Sequence, residues 1–183
     1  MLTNLSLPAI GKQLKKIEGG ALNIPSLQML SLRNCNFHFD SLSVSEQSSL
    51  LSSCNNLEHL DLGGNFLQSI ILPRIISSLK QLRYLNLENT RLGYLSAFVF
   101  PELPVMDTLI MRQNRIYGWD RDVFARVASL KYLDLRHNLI RIVNETSFPT
   151  ALLANLKTIN LGKIHLLVLV NRYGLSAGYV RQI

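Results

Sequence analysis

Leu130-Lys-Tyr-Leu133-Asp-Leu135-Arg-His-Asn138-Leu-Ile140 is the stretch that decides the fold. Leucines hold its first, fourth and sixth places, asparagine the ninth and isoleucine the eleventh. Leu133 and Leu135 alternate as in a half-buried strand, while Asn138 stands where such a strand ends. Neither a single helix nor a single strand accounts for this. The spacing recurs at Leu57, Leu60, Leu62, Asn65, Leu67, then at Leu82, Leu85, Leu87, Thr90, Leu92, and again at Met106, Leu109, Met111, Asn114, Ile116.

Looser copies flank these. Leu27, Leu30, Leu32, Cys35 and Phe37 form the second, and Leu2, Leu5 and Leu7 open a first that puts Ile10 and Lys12 at the ninth and eleventh places. Leu156, Ile159 and Leu161 open a seventh, with Ile164 where asparagine belongs. Successive starts lie 25, 30, 25, 24, 24 and 26 residues apart. A repeat of this length identifies a solenoid in which each copy buries its apolar side chains only against its neighbours.

The pattern resembles the leucine-rich-repeat family, whose signature is L-x-x-L-x-L-x-x-N/C-x-L. Phe100, Phe124 and Phe148 each fall nineteenth in their copy, which resembles the 24-residue class of extracellular receptors, matrix proteoglycans and Toll-like ectodomains. The resemblance implies an α/β solenoid, a short curved right-handed arc with a parallel concave β-sheet of six or seven strands. It also implies a spine of those phenylalanines on the convex side. The expected organisation is a repeat domain over 1–166, with copies starting near 2, 27, 57, 82, 106, 130 and 156, then a non-repeat tail over 167–183. The longer second repeat predicts a convex loop or short helix between His38 and Cys54. The ninth-place amide should bridge buried backbone groups of adjacent coils. Cys35 and Thr90 substitute for it in part; Ile164 cannot, so the ladder is expected to end by the seventh copy.

Complete extracellular members of the family carry cysteine-rich caps, and this sequence has neither. An excerpt of a longer solenoid is therefore expected, with Lys12, Gln13, Lys15 and Lys16 as an alternative polar cover. The run after Gly162 lacks repeat spacing. It is read either as a departure from the repeat coding frame or as a strand over 166–170 capping the sheet edge.

Composition narrows the function. A 48% hydrophobic content supports a continuous core, and 17% charged residues argues against disorder. The net charge of +7 favours acidic partners without choosing among them. Cys35 and Cys54 make neither a metal motif nor a disulfide framework. No charged and apolar leader follows Met1, and the apolar run from Ile164 to Val170 is too short to span a bilayer. Two glycosylation sequons are present, Asn4-Leu-Ser6 and Asn144-Glu-Thr146. Asn144 falls away from the sheet, whereas a glycan on Asn4 would obstruct it.

An enzyme needs convergent groups. Asp61 and Asp134 share the fifth place three copies apart, so about 14 Å separates them at sheet spacing. His59 and His137 are equally distant in copies, and Gly63-Gly64 opens no phosphate-binding helix. No catalytic group, cofactor or metal site is expected. The seventh and tenth places instead gather Arg91, Arg112, Arg115 and Arg136 on neighbouring coils, with Tyr84 and Tyr132 on the adjoining lane. Tyrosine and arginine are enriched where interfaces concentrate binding energy. These six residues are the candidate site, with Tyr84, Arg112, Tyr132 and Arg136 at its centre. Arg112 and Arg136 are expected to repel each other when free, with Glu88, Asp107 and Asp134 as candidates to neutralise part of the cluster, and to matter little to stability.

The expected function is non-enzymatic recognition of a protein ligand or acidic glycan through the concave sheet. Nucleic acid is not expected. The resemblance implies a cell-surface or secreted receptor; an intracellular adaptor or regulatory subunit, cytoplasmic in location, is the alternative. Trp119 reads as core rather than as a binding residue.

Overall fold

In the computed structural model, residues 1–7, 14–18, 20–144, 146–162 and the backbone of 168–169 are described. Each repeat contributes a three-residue strand from its third to fifth places. In chain order these are β1 (Asn4–Ser6), β2 (Met29–Ser31), β3 (His59–Asp61), β4 (Tyr84–Asn86), β5 (Thr108–Ile110) and β6 (Tyr132–Asp134), with β8 (Thr158–Asn160) as the seventh. All seven form one parallel sheet in that order, and every pairing joins equal places of adjacent copies. The loose first copy is thus a full member of the sheet, although its ninth to eleventh places lie outside the described residues.

The middle residue of the strands from β2 onward, Leu30, Leu60, Leu85, Leu109, Leu133 and Ile159, points into the core and is buried. A strand this short must turn at once. In five successive coils the eighth-place residue adopts positive φ: Asn34, Gly64, Asn89, Gln113 and His137. At Gly64 the turn is also crowded, since a Cβ there would overlap the Asn34 side chain.

The ninth place then closes the turn. Asn114 Nδ2 donates to the carbonyls of Leu87 (2.7 Å) and Met111 (3.0 Å), while its Oδ1 accepts from the backbone N–H of Thr90 and Leu92. Asn65 and Asn138 repeat this bridge, Asn138 donating to Met111 and Leu135 and accepting from Ile116 N–H. Thr90 donates only to Leu87 O and Asn114 Oδ1, and Cys35 reaches Leu7 O at 3.5 Å. The substitutes therefore carry part of the asparagine's role. Ile164 lies outside the described residues.

Behind the sheet the chain is varied. A 3-10 turn over Phe39–Ser41 and helix α1 (Val44–Ser49) fill the long second repeat, α1 being started by a capping box between Ser43 and Glu46. Helix α2 (Leu72–Ile76), a 3-10 turn over Ala125–Val127 and α3 (Thr150–Asn155) follow in later coils. Phe100, Phe124 and Phe148 stack in succession, with centroids 6.2 and 5.6 Å apart. Trp119 packs on Phe124 and Phe148 and donates Nε1–H to Ser147 O at 2.7 Å, so it is a part-buried member of the spine. Cys35 and Cys54 are buried free thiols.

Among the described residues, the strand expected over 166–170 does not cap the sheet edge. Strand β9 (Val168–Leu169) pairs in parallel with β7 (Ile142–Val143). Counted from Leu156 and Leu130, both strands occupy the thirteenth and fourteenth places of their copies. Leu95 and Trp119, at the fourteenth place of the two preceding copies, are bridged in the same way. The backbone of Val168–Leu169 thus lies on the flank in repeat register rather than at the sheet edge. The rest of the tail lies outside the described residues.

Candidate partner-binding face

The sheet's outward lanes are set by strand register alone. The third-place lane presents His59, Tyr84, Thr108, Tyr132 and Thr158 on adjacent strands. His59 and Tyr84 rings stack at 5.8 Å. Tyr132 Oη accepts from Asn160 Nδ2 at 2.7 Å. The Tyr84 phenol is held above its ordinary pKa by burial first and by Asp61 second.

The fifth and seventh places behave differently from ordinary surface. Glu88 is only 6% exposed and Asp134 only 1%. Glu88 Oε2 accepts from Arg33 Nη2 at 2.6 Å and from Arg112 Nη2 at 3.0 Å. Arg33 reaches it from two coils away because the intervening seventh place is Gly63, where a Cβ would stand 2.8 Å from Arg33 Nη1. Asp61 adds a second, longer contact to Arg33 at 3.6 Å. Burial pushes the Glu88 pKa up, but the hydrogen bonds and charges of Arg112 and Arg33 outweigh it, so the carboxyl titrates below its usual range. Arg136 grips Asp134 through Nε (3.0 Å to Oδ1) and Nη2 (2.7 Å to Oδ2).

The expected mutual repulsion of Arg112 and Arg136 is therefore absent, because each guanidinium faces a buried carboxylate. The same geometry overturns the expectation that both are dispensable for stability. Removing either withdraws a counter-charge from a group that water barely reaches. Arg112 Nε is buried with no hydrogen-bond partner among the described residues.

Tyr84, Arg112, Tyr132 and Arg136 lie on three successive strands or their exits, in the order β4, β5, β6. Arg91 and Arg115 do not join them. Arg91 follows the left-handed turn, itself at φ 66°, and lays its guanidinium 3.8 Å over the Phe66 ring, against which His38 also stacks. Arg115 is exposed and makes no ion pair among the described residues. Sequence reading missed the Arg33–Glu88 contact, though the glycine between them at the seventh place signalled it. Asn4 is exposed at the start of β1, and Asn144 is exposed after β7.

Among the described residues no group of three or more His, Cys, Asp or Glu is placed to hold a metal ion. No helix there is long and apolar enough to cross a membrane.

This is a parallel-coil solenoid presenting one short sheet of fixed lanes. Leucine-rich-repeat family models match residues 104–166 and 56–79. Receptor-like protein EIX1 of Solanum lycopersicum is 31% identical over 88 residues, which is 48% of this chain and 8% of that protein. The Toll–Spatzle complex of Drosophila superposes with a TM-score of 0.65 at 20% identity, covering 93% of this chain and 26% of that one. The TLR13 chain of a TLR13–ssRNA13 complex gives 0.56 at 21% identity, over 87% of this chain and 24% of that one. The matched segments carry leucine-rich repeats, and the solved neighbours share the solenoid fold of this chain. It spans under a tenth of the curated relative and about a quarter of each of these solved chains.

Proposed function

We propose that this chain recognises a protein ligand through its concave sheet, without catalysis, as part of a cell-surface or secreted receptor. The observation that carries the reading is the rigid lane of Tyr84, Thr108 and Tyr132 on consecutive strands, beside the clamped Arg112 and Arg136. Side chains held by register and ion pairs lose little entropy on docking. Their aromatic and guanidinium surfaces suit protein side chains and carboxylates. Because both arginines already face carboxylates, the lane is not the bare cationic stripe that a phosphate backbone favours. The receptor reading draws on the similarity to a tomato receptor-like protein and to Toll, which is bound to Spatzle in its complex. Arg91 and Arg115 would form the rim of the contact.

The test is site-specific crosslinking. A photoreactive residue at Thr108, on the sheet, is compared with one at Phe98, exposed in the connection between β4 and β5. Ligand secreted into culture medium should crosslink from position 108 and be lost in Tyr84→Ala/Tyr132→Ala. Crosslinking only from position 98 would sink the siting. Displacement of the ligand by single-stranded RNA would move the reading to nucleic acid.

A further inference from the structure

Beside the spine, on the flank of the fifth and sixth coils, lies a cleft of about 440 Å³ that recognition through the sheet leaves unused. Its walls include Tyr117, Trp119, Arg121, Arg141 and Ile142, and Asn144, Thr146 and Ser147 of one sequon turn stand in the same lining. Tyr117 is 61% exposed and Ile142 59%, large values for apolar side chains on adjacent coils. Trp119 is pinned at the base by its bond to Ser147 O. Arg121 and Arg141 are exposed and make no ion pair among the described residues.

The described residues of the sequon are hydrogen-bonded to one another. Asn144 Oδ1 accepts from Thr146 N–H (3.1 Å), Thr146 Oγ–H (2.9 Å) and Ser147 Oγ–H (3.1 Å). The carboxamide is thus fixed through its oxygen, and Nδ2 has no partner among the described residues. We infer that Asn144 carries an N-linked glycan whose first sugar is seated in this cleft. A pyranose matches the lining in both respects. Its C–H face lies on an aromatic or aliphatic surface, as Tyr117 and Ile142 offer, and its hydroxyl and acetamido oxygens accept from guanidinium donors, as Arg121 and Arg141 offer.

In the modification, Asn144 Nδ2 bonds to the anomeric carbon of a lipid-diphosphate-linked oligosaccharide. The bond from that carbon to the diphosphate oxygen breaks, the lipid diphosphate departs, and the nitrogen's proton passes to base in the transferase. The inference rests on the cell-surface reading, because only a chain entering the secretory pathway meets this donor. It deepens that reading by keeping the glycan on the flank, clear of the sheet. Asn4, by contrast, is exposed on β1 itself, within the sheet.

The experiment supplies its own route to the donor. The full chain carrying Asn4→Gln is expressed behind an appended secretion leader in eukaryotic cells, so delivery does not depend on its natural location. Mass spectrometry should find Asn144 occupied. The glycan is then trimmed enzymatically to one sugar, or removed entirely to leave aspartate, with Asn144→Asp as the control for the new charge. The one-sugar form should melt higher than the stripped form by roughly 2 °C or more. In Tyr117→Ala that gap should vanish. In Asn144→Gln with Asn4 intact, trimming should leave the melting temperature unmoved. An unoccupied Asn144 overturns the modification, and a gap that survives Tyr117→Ala overturns the seat. Crosslinking at Thr108 is indifferent to both results, so failure here and failure of the concave reading remain distinct.

Discussion

Arg33 and Glu88 form a 2.6 Å ion pair across an intervening coil that offers no side chain at the seventh place. Gly63 creates that gap. Arg112 closes on the same carboxylate oxygen from the next coil, so one buried acid ties three repeats together. Replacing Glu88 with alanine should release both guanidinium groups. Since each is about a third exposed, the cost should be about 1–2 kcal/mol. Chemical denaturation would read it. A Gly63→Ala variant should lose the Arg33 share alone, because its Cβ displaces Nη1, and a double-mutant cycle with Arg33→Ala would show the two changes to be non-additive.

The same carboxylate makes the fold acid-sensitive in a defined direction. Glu88 titrates below its usual range in the folded chain despite the opposing effect of burial, because Arg112 and Arg33 stabilise its charged form. A depressed folded pKa contributes stability that is fully present above the unfolded value of about 4.3. The melting temperature should therefore be insensitive to this group near neutrality and fall as pH drops below that value through the lower folded pKa. In Glu88→Gln the fall should be shallower. An identical acid limb in the two proteins would remove Glu88 from the account.

Arg112→Ala with Arg136→Ala tests binding and stability together. Binding of an anionic protein ligand should weaken and lose much of its salt dependence. Stability should fall as well, by about 3 kcal/mol, since Asp134 at 1% exposure is left without its guanidinium and Glu88 keeps only Arg33. Equal affinity at low and high salt in parent and variant would place the contact elsewhere.

Asn114→Ala is the fold control. It removes an acceptor shared by Thr90 and Leu92 N–H and donors to Leu87 and Met111 carbonyls, all in the core. At about 1–3 kcal/mol for each group left unpaired, the loss should reach about 3 kcal/mol or more. It should exceed that of Thr90→Ala, whose hydroxyl donates only within this ladder. Urea titration of both variants checks the order.

Gly64→Ala should destabilise through the turn rather than the core. The residue sits at φ +70°, and the added carbon would overlap Asn34 Oδ1. Asn34→Ala in the same chain should recover part of the loss and not all of it, because the Asn34 Cα also stands 3.1 Å away. Full recovery would mean the backbone accepts the left-handed turn without strain.

Much of the architecture was legible because a repeat fixes its own register. Once Leu60, Leu85, Leu109 and Leu133 are seen to share a place, parallel pairing at equal places follows, with the asparagines beside it as bridges. Each coil can bury its leucines in only one way against its neighbours. The spine of Phe100, Phe124 and Phe148 follows from the same spacing. So does the separation of Asp61 from Asp134, since β3 and β6 stand three strands apart.

Burial of charge was not legible in that way. The seventh place reads Arg33, Gly63, Glu88, Arg112, Arg136 as a line of surface residues. Which of them lie over one another, and which acids lose their water, depends on side-chain reach across coils, and spacing along the chain carries no information about that. The cleft beside Tyr117 is likewise a product of two coils meeting. The return of Val168–Leu169 to the flank is another case, because the polar signature had lapsed and the register shows only in the backbone pairing with Ile142–Val143. Sequence determined the solenoid because its repeating apolar places have one shared solution. Tertiary structure decided the face, because electrostatics there is set by distance and by access to water.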